Sequence, residues 1–487
     1  MAAEKKDTES LDAITDRINS LLGTGSGSKD VAAKKPEEEA RKPEDAANVP
    51  ADGKAAGGAD ASKEQVASNL RVSSYEVQVT LADQQADPNS PLFSVKNFSD
   101  LGLHPDLLKG IYAMKFTKPS KIQERALPLL LQNPPRNMIG QSQSGTGKTA
   151  AFVLTMLSRI DYSVEAPQAI ALAPSRELAR QTMDVVTEMG KYTPVKTLMA
   201  IPDAEGAKRS QKIAAQLIVG TPGKVMELVK YKAIDTSKVK VFVLDEADNM
   251  LDQQGLGDQS IRVKNVMPKT CQLVLFSATF PDHVREFASK IAPAANEIRL
   301  KQEELSVEAI KQFYMDCNSE EHKYQVLVDL YSLLTIGQSI IFCAKRDTAD
   351  QIAKRMTAEG HKVDSLHGKL DTAERDRTID AFRDGKSKVL IATNVIARGI
   401  DIQQVTLVIN YDMPLAQDGK PDAETYLHRI GRTGRFGRKG VSINFVHDQT
   451  SWKNMNAMEK ALSCNIVRVA TDDMEMMEKT IKDALKS

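Results

Sequence analysis

Val241-Phe242-Val243-Leu244-Asp245-Glu246-Ala247-Asp248 decides how this chain is read. Four consecutive apolar residues suit a strand buried on both faces, and the acids stand where it runs out at its carboxyl end. Roughly a hundred residues upstream lies Gln143-Ser144-Gly145-Thr146-Gly147-Lys148-Thr149. Glycines in such a loop let backbone N–H groups approach phosphate oxygens at a helix N-terminus. Lys148 would reach the β- and γ-phosphates of a nucleoside triphosphate, and the Thr149 hydroxyl would ligate Mg²⁺. Ser142 stands where the strict pattern has its first glycine. Asp245 falls where a metal-side carboxylate belongs, and Glu246 where a carboxylate orients the attacking water. Thr149 and Asp245 are therefore the expected metal ligands.

Working outward, short apolar runs recur between longer amphipathic stretches. Asn137-Met138-Ile139 precedes the phosphate loop, Ala169-Ile170-Ala171-Leu172-Ala173 precedes Pro174, Gln216-Leu217-Ile218-Val219 precedes Gly220, and Gln272-Leu273-Val274-Leu275-Phe276 precedes Ser277. This is the pattern of parallel strands with functional residues outside their carboxyl ends. The polar stretch 301–309 reads as an interdomain linker. Alternation then resumes with Ser339-Ile340-Ile341-Phe342, Lys388-Val389-Leu390-Ile391 and Thr406-Leu407-Val408-Ile409, without a second phosphate loop. The expectation is two α/β domains, residues 71–300 and 310–487, of which only the first cradles nucleotide.

The first 70 residues are different. Their Gly, Ser, Pro, Glu, Lys and Ala content cannot bury enough apolar surface to offset chain entropy, so a disordered extension is expected. Leu11, Ile14, Ile18, Leu21 and Leu22 fall near helical spacing there, and residues 62–70 suit a short capped helix. Across all 487 residues, 41% hydrophobic and 27% charged content is ordinary for a globular protein with a sizeable core. Formal net charge is zero, so nucleic acid would be bound by local patches and not by a global field. Cys271, Cys317, Cys343 and Cys464 are scattered, which suits a reducing compartment and no zinc site. Neither a membrane span nor a signal peptide is read, and a protein of the cytosol or nucleus is expected.

Taken in order, these motifs resemble those of the DEAD-box RNA helicases over roughly residues 94–446. That resemblance implies two tandem RecA-like domains, each a mostly parallel sheet flanked by helices. It implies an RNA-dependent ATPase using ATP and Mg²⁺. Phe116 with Lys118-Pro119-Ser120-Lys121-Ile122-Gln123 looks like the adenine-reading motif, Phe116 stacking on the base and the Gln123 amide pairing with its edge. Ser142, Gln143, Ser144, Gly145, Thr146, Gly147, Lys148 and Thr149 form the phosphate cradle. Arg176 in Pro174-Ser175-Arg176-Glu177, and Thr221, Gly223 and Lys224 in Thr221-Pro222-Gly223-Lys224, resemble RNA-backbone contacts. Ser277-Ala278-Thr279 resembles the motif coupling hydrolysis to strand separation, through Ser277 and Thr279. In the second half His367-Gly368, Arg375 and Thr393 resemble RNA contacts, while Gly399 and Asp401 look like nucleotide contacts, Asp401 toward the ribose. Tyr426 to Arg435 resembles the motif that holds Arg432 and Arg435 against the γ-phosphate, with His428 organising the site. A supplied arginine is worth on the order of 10³–10⁵ in rate in related phosphoryl transfer.

Within the family, Lys115 replaces a usual Gly, Ser175 a Thr, Lys224 an Arg and Asn394 an Asp, and no Gly-Gly occurs around Ile201-Pro202-Asp203. With Asp87-Pro88-Asn89-Ser90-Pro91-Leu92, Met315-Asp316-Cys317 and the run from Asp245 to Gly257, these features resemble the fungal branch that drives messenger RNA export at the nuclear pore. That resemblance implies a monomer acting on single-stranded RNA of any sequence, on the pore's cytoplasmic face. Its implied partners are a nucleoporin and an export activator assisted by inositol hexakisphosphate. It also implies that the segment before the core restrains the two domains from closing. Two alternatives stay open at this point: an initiation-factor-like or ribosome-assembly helicase, and an ATP-gated RNA clamp. A DNA helicase is a third.

Overall fold

The computed structural model describes residues 77–82, 94–141, 146–202, 210–252, 255–300, 310–334, 336–394, 405–416, 418–434 and 440–486. The expected extension, the helix at 62–70 and the linker at 301–309 lie outside them. Among the described residues two separate sheets form. The first contains β1 (Val77–Thr80), β2 (Met138–Gln141), β3 (Ala169–Leu172), β4 (Thr197–Ala200), β5 (Leu217–Gly220), β6 (Val241–Leu244), β7 (Gln272–Ser277) and β8 (Asn296–Leu300). Their order is β1-β8-β2-β7-β6-β3-β5-β4, parallel except for β1, which pairs antiparallel with β8.

The second sheet contains β9 (Ile310–Asp316), β10 (Gln338–Cys343), β11 (Val363–Leu366), β12 (Val389–Thr393), β13 (Val405–Asn410), β14 (Gly440–Val446) and β15 (Ile466–Val469). It runs β11-β12-β10-β13-β14-β9-β15, parallel throughout. The chain is thus two parallel-sheet α/β lobes flanked by helices, as expected.

The physical reason is burial on both faces. Every residue of β2, β3, β5, β6 and β7 is buried. Alternate side chains of β3 enter opposite cores: Ala169 and Ala171 join one cluster, Ile170 and Leu172 the other. Each parallel connection needs a crossover helix, and each helix needs a start signal. Ser120 and Gln123 form a reciprocal capping box for the helix Lys121–Leu131. Ser175 caps Arg176–Met189, Asp371 caps Thr372–Arg383 and Asp422 caps Ala423–Ile430. No helix among the described residues is long and apolar enough to cross a membrane.

Strand order positions the site. β7 lies between β2 and β6, with Gln141 opposite Ser277 and Leu244 opposite Leu275. Residues 146–149 after β2, Ser277-Ala278-Thr279 at the end of β7 and the acids after β6 therefore share one edge of the sheet, outside its carboxyl ends.

Candidate active site

Gly147 is the N-cap of the helix Lys148–Arg159 and has φ 99°, the left-handed region that glycine enters without strain. A Cβ there would stand 2.4 Å from Gln123 Nε2. That close approach is a bond: Nε2 donates to the Gly147 carbonyl, 3.0 Å, and Gln123 Oε1 accepts from Ser120 N, 2.9 Å. Ser120 Oγ donates to the Thr146 carbonyl, 2.7 Å. The expected adenine motif is thereby tied to the phosphate loop. Phe116 is half-buried, one side packed on the first-lobe core. Residues 142–145 lie outside the described residues.

Lys148 is buried beside Asp245 at the end of β6. Burial pushes the Asp245 carboxyl up to about 7; Lys148 opposes this, while Glu246 and Asp248 add to it. A buried carboxylate in that condition wants a cation, and with the Thr149 hydroxyl it offers the hard oxygen donors that suit Mg²⁺. Glu246 adopts φ 48°, unusual for a non-glycine residue. Asn249 Nδ2 donates to Glu246 Oε2, 3.2 Å, and so fixes where that carboxylate points.

Asp248 is wholly buried and joins the acidic strand end to Ser277-Ala278-Thr279. Its backbone N donates to Ser277 Oγ, 3.1 Å, and its Oδ2 accepts from Ala278 N, Thr279 N and Thr279 Oγ1 at 2.9–3.1 Å. The second lobe arrives here. Thr279 Oγ1 donates to Glu424 Oε1, 2.6 Å, and His428 Nε2 lies 3.6 Å from Asp248 Oδ2. His428 occupies the last turn of the helix Ala423–Ile430. Arg432 is buried just beyond that helix, its Nε donating to the His428 carbonyl, 2.9 Å. Arg435, Gly399 and Asp401 lie outside the described residues.

A second junction forms between the helices Arg176–Met189 and Thr372–Arg383. Arg375 donates to Glu177, 2.7 Å, and Arg176 lies 3.6 Å from Asp376 while also donating to the Pro202 carbonyl. Two arginines expected at RNA are thus engaged across the cleft. Thr221 heads the helix Pro222–Lys230 with no side-chain capping bond, Gly223 follows in its first turn, and Lys224 pairs with Glu227, 2.8 Å. Thr393, at the end of β12, is buried with Oγ1 unpartnered among the described residues.

Reading motifs left out Asp248, Glu424 and Arg429. Glu424 was findable as an acid four residues before His428, on the same helical face. Arg429 is fully buried, donating to Asn410, the Asp412 carbonyl and Asn394. Burial pushes its guanidinium down to about 10, against the Asp412 carboxylate.

A phosphate-loop helix, an acidic strand end and a second lobe meeting both define a two-lobed nucleotide-driven motor. Comparison narrows the class. The family described as DEAD/DEAH box helicase matches residues 120–287, and the helicase conserved C-terminal domain matches 322–437. The chain is 77% identical over 426 residues to the ATP-dependent RNA helicase DBP5 of Mycosarcoma maydis, covering 88% of this chain and 93% of that one. S. cerevisiae Dbp5 bound to RNA and ADP BeF3 superposes with a TM-score of 0.77 at 60% identity, over 80% of this chain and all of that one. A S. cerevisiae Dbp5 variant bound to Nup159, a Gle1 variant, IP6 and ADP gives 0.61 at 58% identity, over 79% and 100%. This protein belongs to the DEAD-box helicase family.

Proposed function

We propose that the protein is an ATP-dependent RNA helicase that remodels RNA or its bound proteins during messenger RNA export at the nuclear pore. The observation that carries the enzymatic reading is the meeting of Thr279 and Asp248 with Glu424 and His428, beside Lys148 and Asp245. Nucleotide chemistry in one lobe is thereby connected to the position of the other.

Phe116 stacks on adenine. Gln123 has one donor hydrogen and one lone pair left after its bonds to Gly147 and Ser120, enough for one base edge. The loop 142–147 and Lys148 hold the phosphates. Thr149 and Asp245 would hold Mg²⁺, which supplies positive charge to the β- and γ-phosphates. Glu246, oriented by Asn249, accepts a proton from the attacking water. Arg432 and Arg435 come from the second lobe to meet charge developing on the γ-phosphoryl oxygens, Asp401 approaches the ribose and Gly399 lies with it in the nucleotide site. His428 sets the approach of the helix Ala423–Ile430, and of Arg432 beyond it, to Asp248.

Arg176, Thr221, Gly223, Lys224, Arg375 and Thr393 contact backbone phosphates and 2′-OH groups, so any RNA sequence serves. Closure bends the strand and expels a paired strand or a protein; hydrolysis reopens the cleft.

The Dbp5 complexes with Nup159, Gle1 and IP6 support a nucleoporin and an inositol hexakisphosphate-assisted activator as partners. The proposed place of action is the cytoplasmic face of the pore. The test is ATP hydrolysis with and without single-stranded RNA, repeated with the activator and inositol hexakisphosphate. Stimulation by both is expected. Hydrolysis indifferent to RNA would overturn the helicase reading; hydrolysis indifferent to the activator would overturn the export reading alone.

A further inference from the structure

Arg176, Arg180 and Asp184 fall every fourth residue on one helix, and Asp376, Asp380 and Arg383 form the matching stripe on another. The signs are complementary along the whole length: two positives then a negative face two negatives then a positive. Arg180 is the centre. It lies 2.8 Å from Asp376 and 3.2 Å from Asp380, with Arg176 3.6 Å from Asp376 and Arg383 3.6 Å from Asp184. Among the described residues Asp376 Oδ1 makes no aligned hydrogen bond, so its contact with Arg180 is one of charge. The buried Glu177 carboxylate with Arg375 adds a further pair beside the stripe.

We infer that these two helices form a charge-matched latch that sets how tightly the RNA side of the cleft closes, with Arg180 as its positioning residue. The inference rests on the helicase reading and deepens it. Arg176 and Arg375, the arginines placed on RNA, lie in the first turns of the same helices. Seating the latch therefore brings the phosphate contacts of both lobes into one groove. Among the described residues Arg180 is engaged by the carboxylates of Asp376 and Asp380, so its effect on RNA is indirect. At 27% side-chain exposure for both Arg180 and Asp376, the pair is partly screened and its strength depends on salt.

The test is a double-mutant cycle on the full chain, reading the poly(U) concentration that half-saturates ATP hydrolysis. Arg180→Ala and Asp376→Asn should each raise it by about two- to fivefold. The double variant should be little worse than either single. Turnover at saturating RNA and ATP affinity without RNA should stay unchanged, which a merely structural defect would not allow. Arg180→Lys should recover part of the loss. If Arg180→Ala does not fold, Asp380→Asn, at a more exposed site, should still raise half-saturation.

The sign at Asp376 decides the matter. An aspartate that only repels RNA phosphates would give tighter binding when neutralised, and that result overturns the latch. Losses that multiply in the double variant overturn it too. Should the unaltered chain prove indifferent to RNA, the helicase reading fails, and the latch is read separately. A fluorophore pair, one on each lobe, with a non-hydrolysable ATP analogue should then report closure that weakens with salt in the unaltered chain and less so in Arg180→Ala. Identical salt responses would end the proposal.

Discussion

Thr279 and Glu424 share a hydrogen bond across the cleft, Oγ1 to Oε1 at 2.6 Å, while the same Thr279 oxygen lies 3.0 Å from Asp248 Oδ2. A hydroxyl has one proton, so two carboxylates from different lobes compete for it. When the second lobe leaves, that proton is free to turn wholly toward Asp248. The threonine thus registers whether the lobes are together. Glu424→Ala should leave ATP binding to the first lobe intact and lower RNA-stimulated turnover by about tenfold, the scale of one lost charge-assisted hydrogen bond. Equal loss of ATP affinity and turnover would contradict this.

Glu246 is held by Asn249 beside the acidic strand end, and its proposed task is to take a proton from water. Glu246→Gln keeps the shape and removes the base. ATP and RNA should still bind, and single-turnover hydrolysis should fall by about 10²–10⁴. Hydrolysis at the unaltered rate would remove Glu246 from the mechanism.

The Asp245 carboxyl rises from an ordinary 3.8 to about 7, first through burial, with Lys148 opposing. Its folded value exceeds its unfolded value, so in the metal-free protein this group's stabilisation is present below about 4 and is lost as pH climbs to about 7. Mg²⁺ needs the ionised form and competes with the proton. Mg²⁺ affinity, measured calorimetrically with an ATP analogue, should rise about tenfold per pH unit below that value and level off above it. Asp245→Asn should flatten the profile, leaving only the dependence that comes from ionisation of the analogue's own terminal phosphate. A flat profile in the unaltered chain would show that Asp245 does not hold the ion.

Gly110 lies where the helix Pro105–Ala113 crosses the end of Arg176–Met189, and a Cβ there would stand 2.0 Å from the Met189 carbonyl oxygen. Backbone cannot yield as a flexible side chain would. Gly110→Ala should destabilise the protein by about 1–3 kcal/mol in denaturant titration. It should also weaken RNA binding, because Arg176–Met189 carries Arg176. Unchanged stability would mean that the two helices separate without cost.

Most inner strands were legible where burial on both faces writes an unbroken apolar run: Val241 to Leu244 is β6 as read, and the Gln272 run differs from β7 by one residue, whereas the wholly buried β14 escaped because Ser442 and Asn444 interrupt its run. Edge strands escaped for the opposite reason. β1 alternates half-buried and exposed residues, β4 buries only Ala200, and β15 exposes Val467 and Arg468. The phosphate loop and acidic strand end announced themselves because their chemistry needs fixed spacing. Glu424 with Thr279, and Arg180 with Asp376, lie 145 and 196 residues apart. Nothing local marks which residue of the other lobe each one meets, since lobe packing alone brings them together.

Gln123 holds the Ser120 amide with its oxygen and the Gly147 carbonyl with its nitrogen. One side chain therefore serves both as a reader of the purine and as a strut for the loop beneath the phosphates. Replacing Gln123 with Ala should weaken binding of inorganic tripolyphosphate as well as ATP, although the former offers no ring to recognise. Discrimination between fuels and the grip on any fuel are one mechanical part, and neither can be tuned by substitution there without disturbing the other.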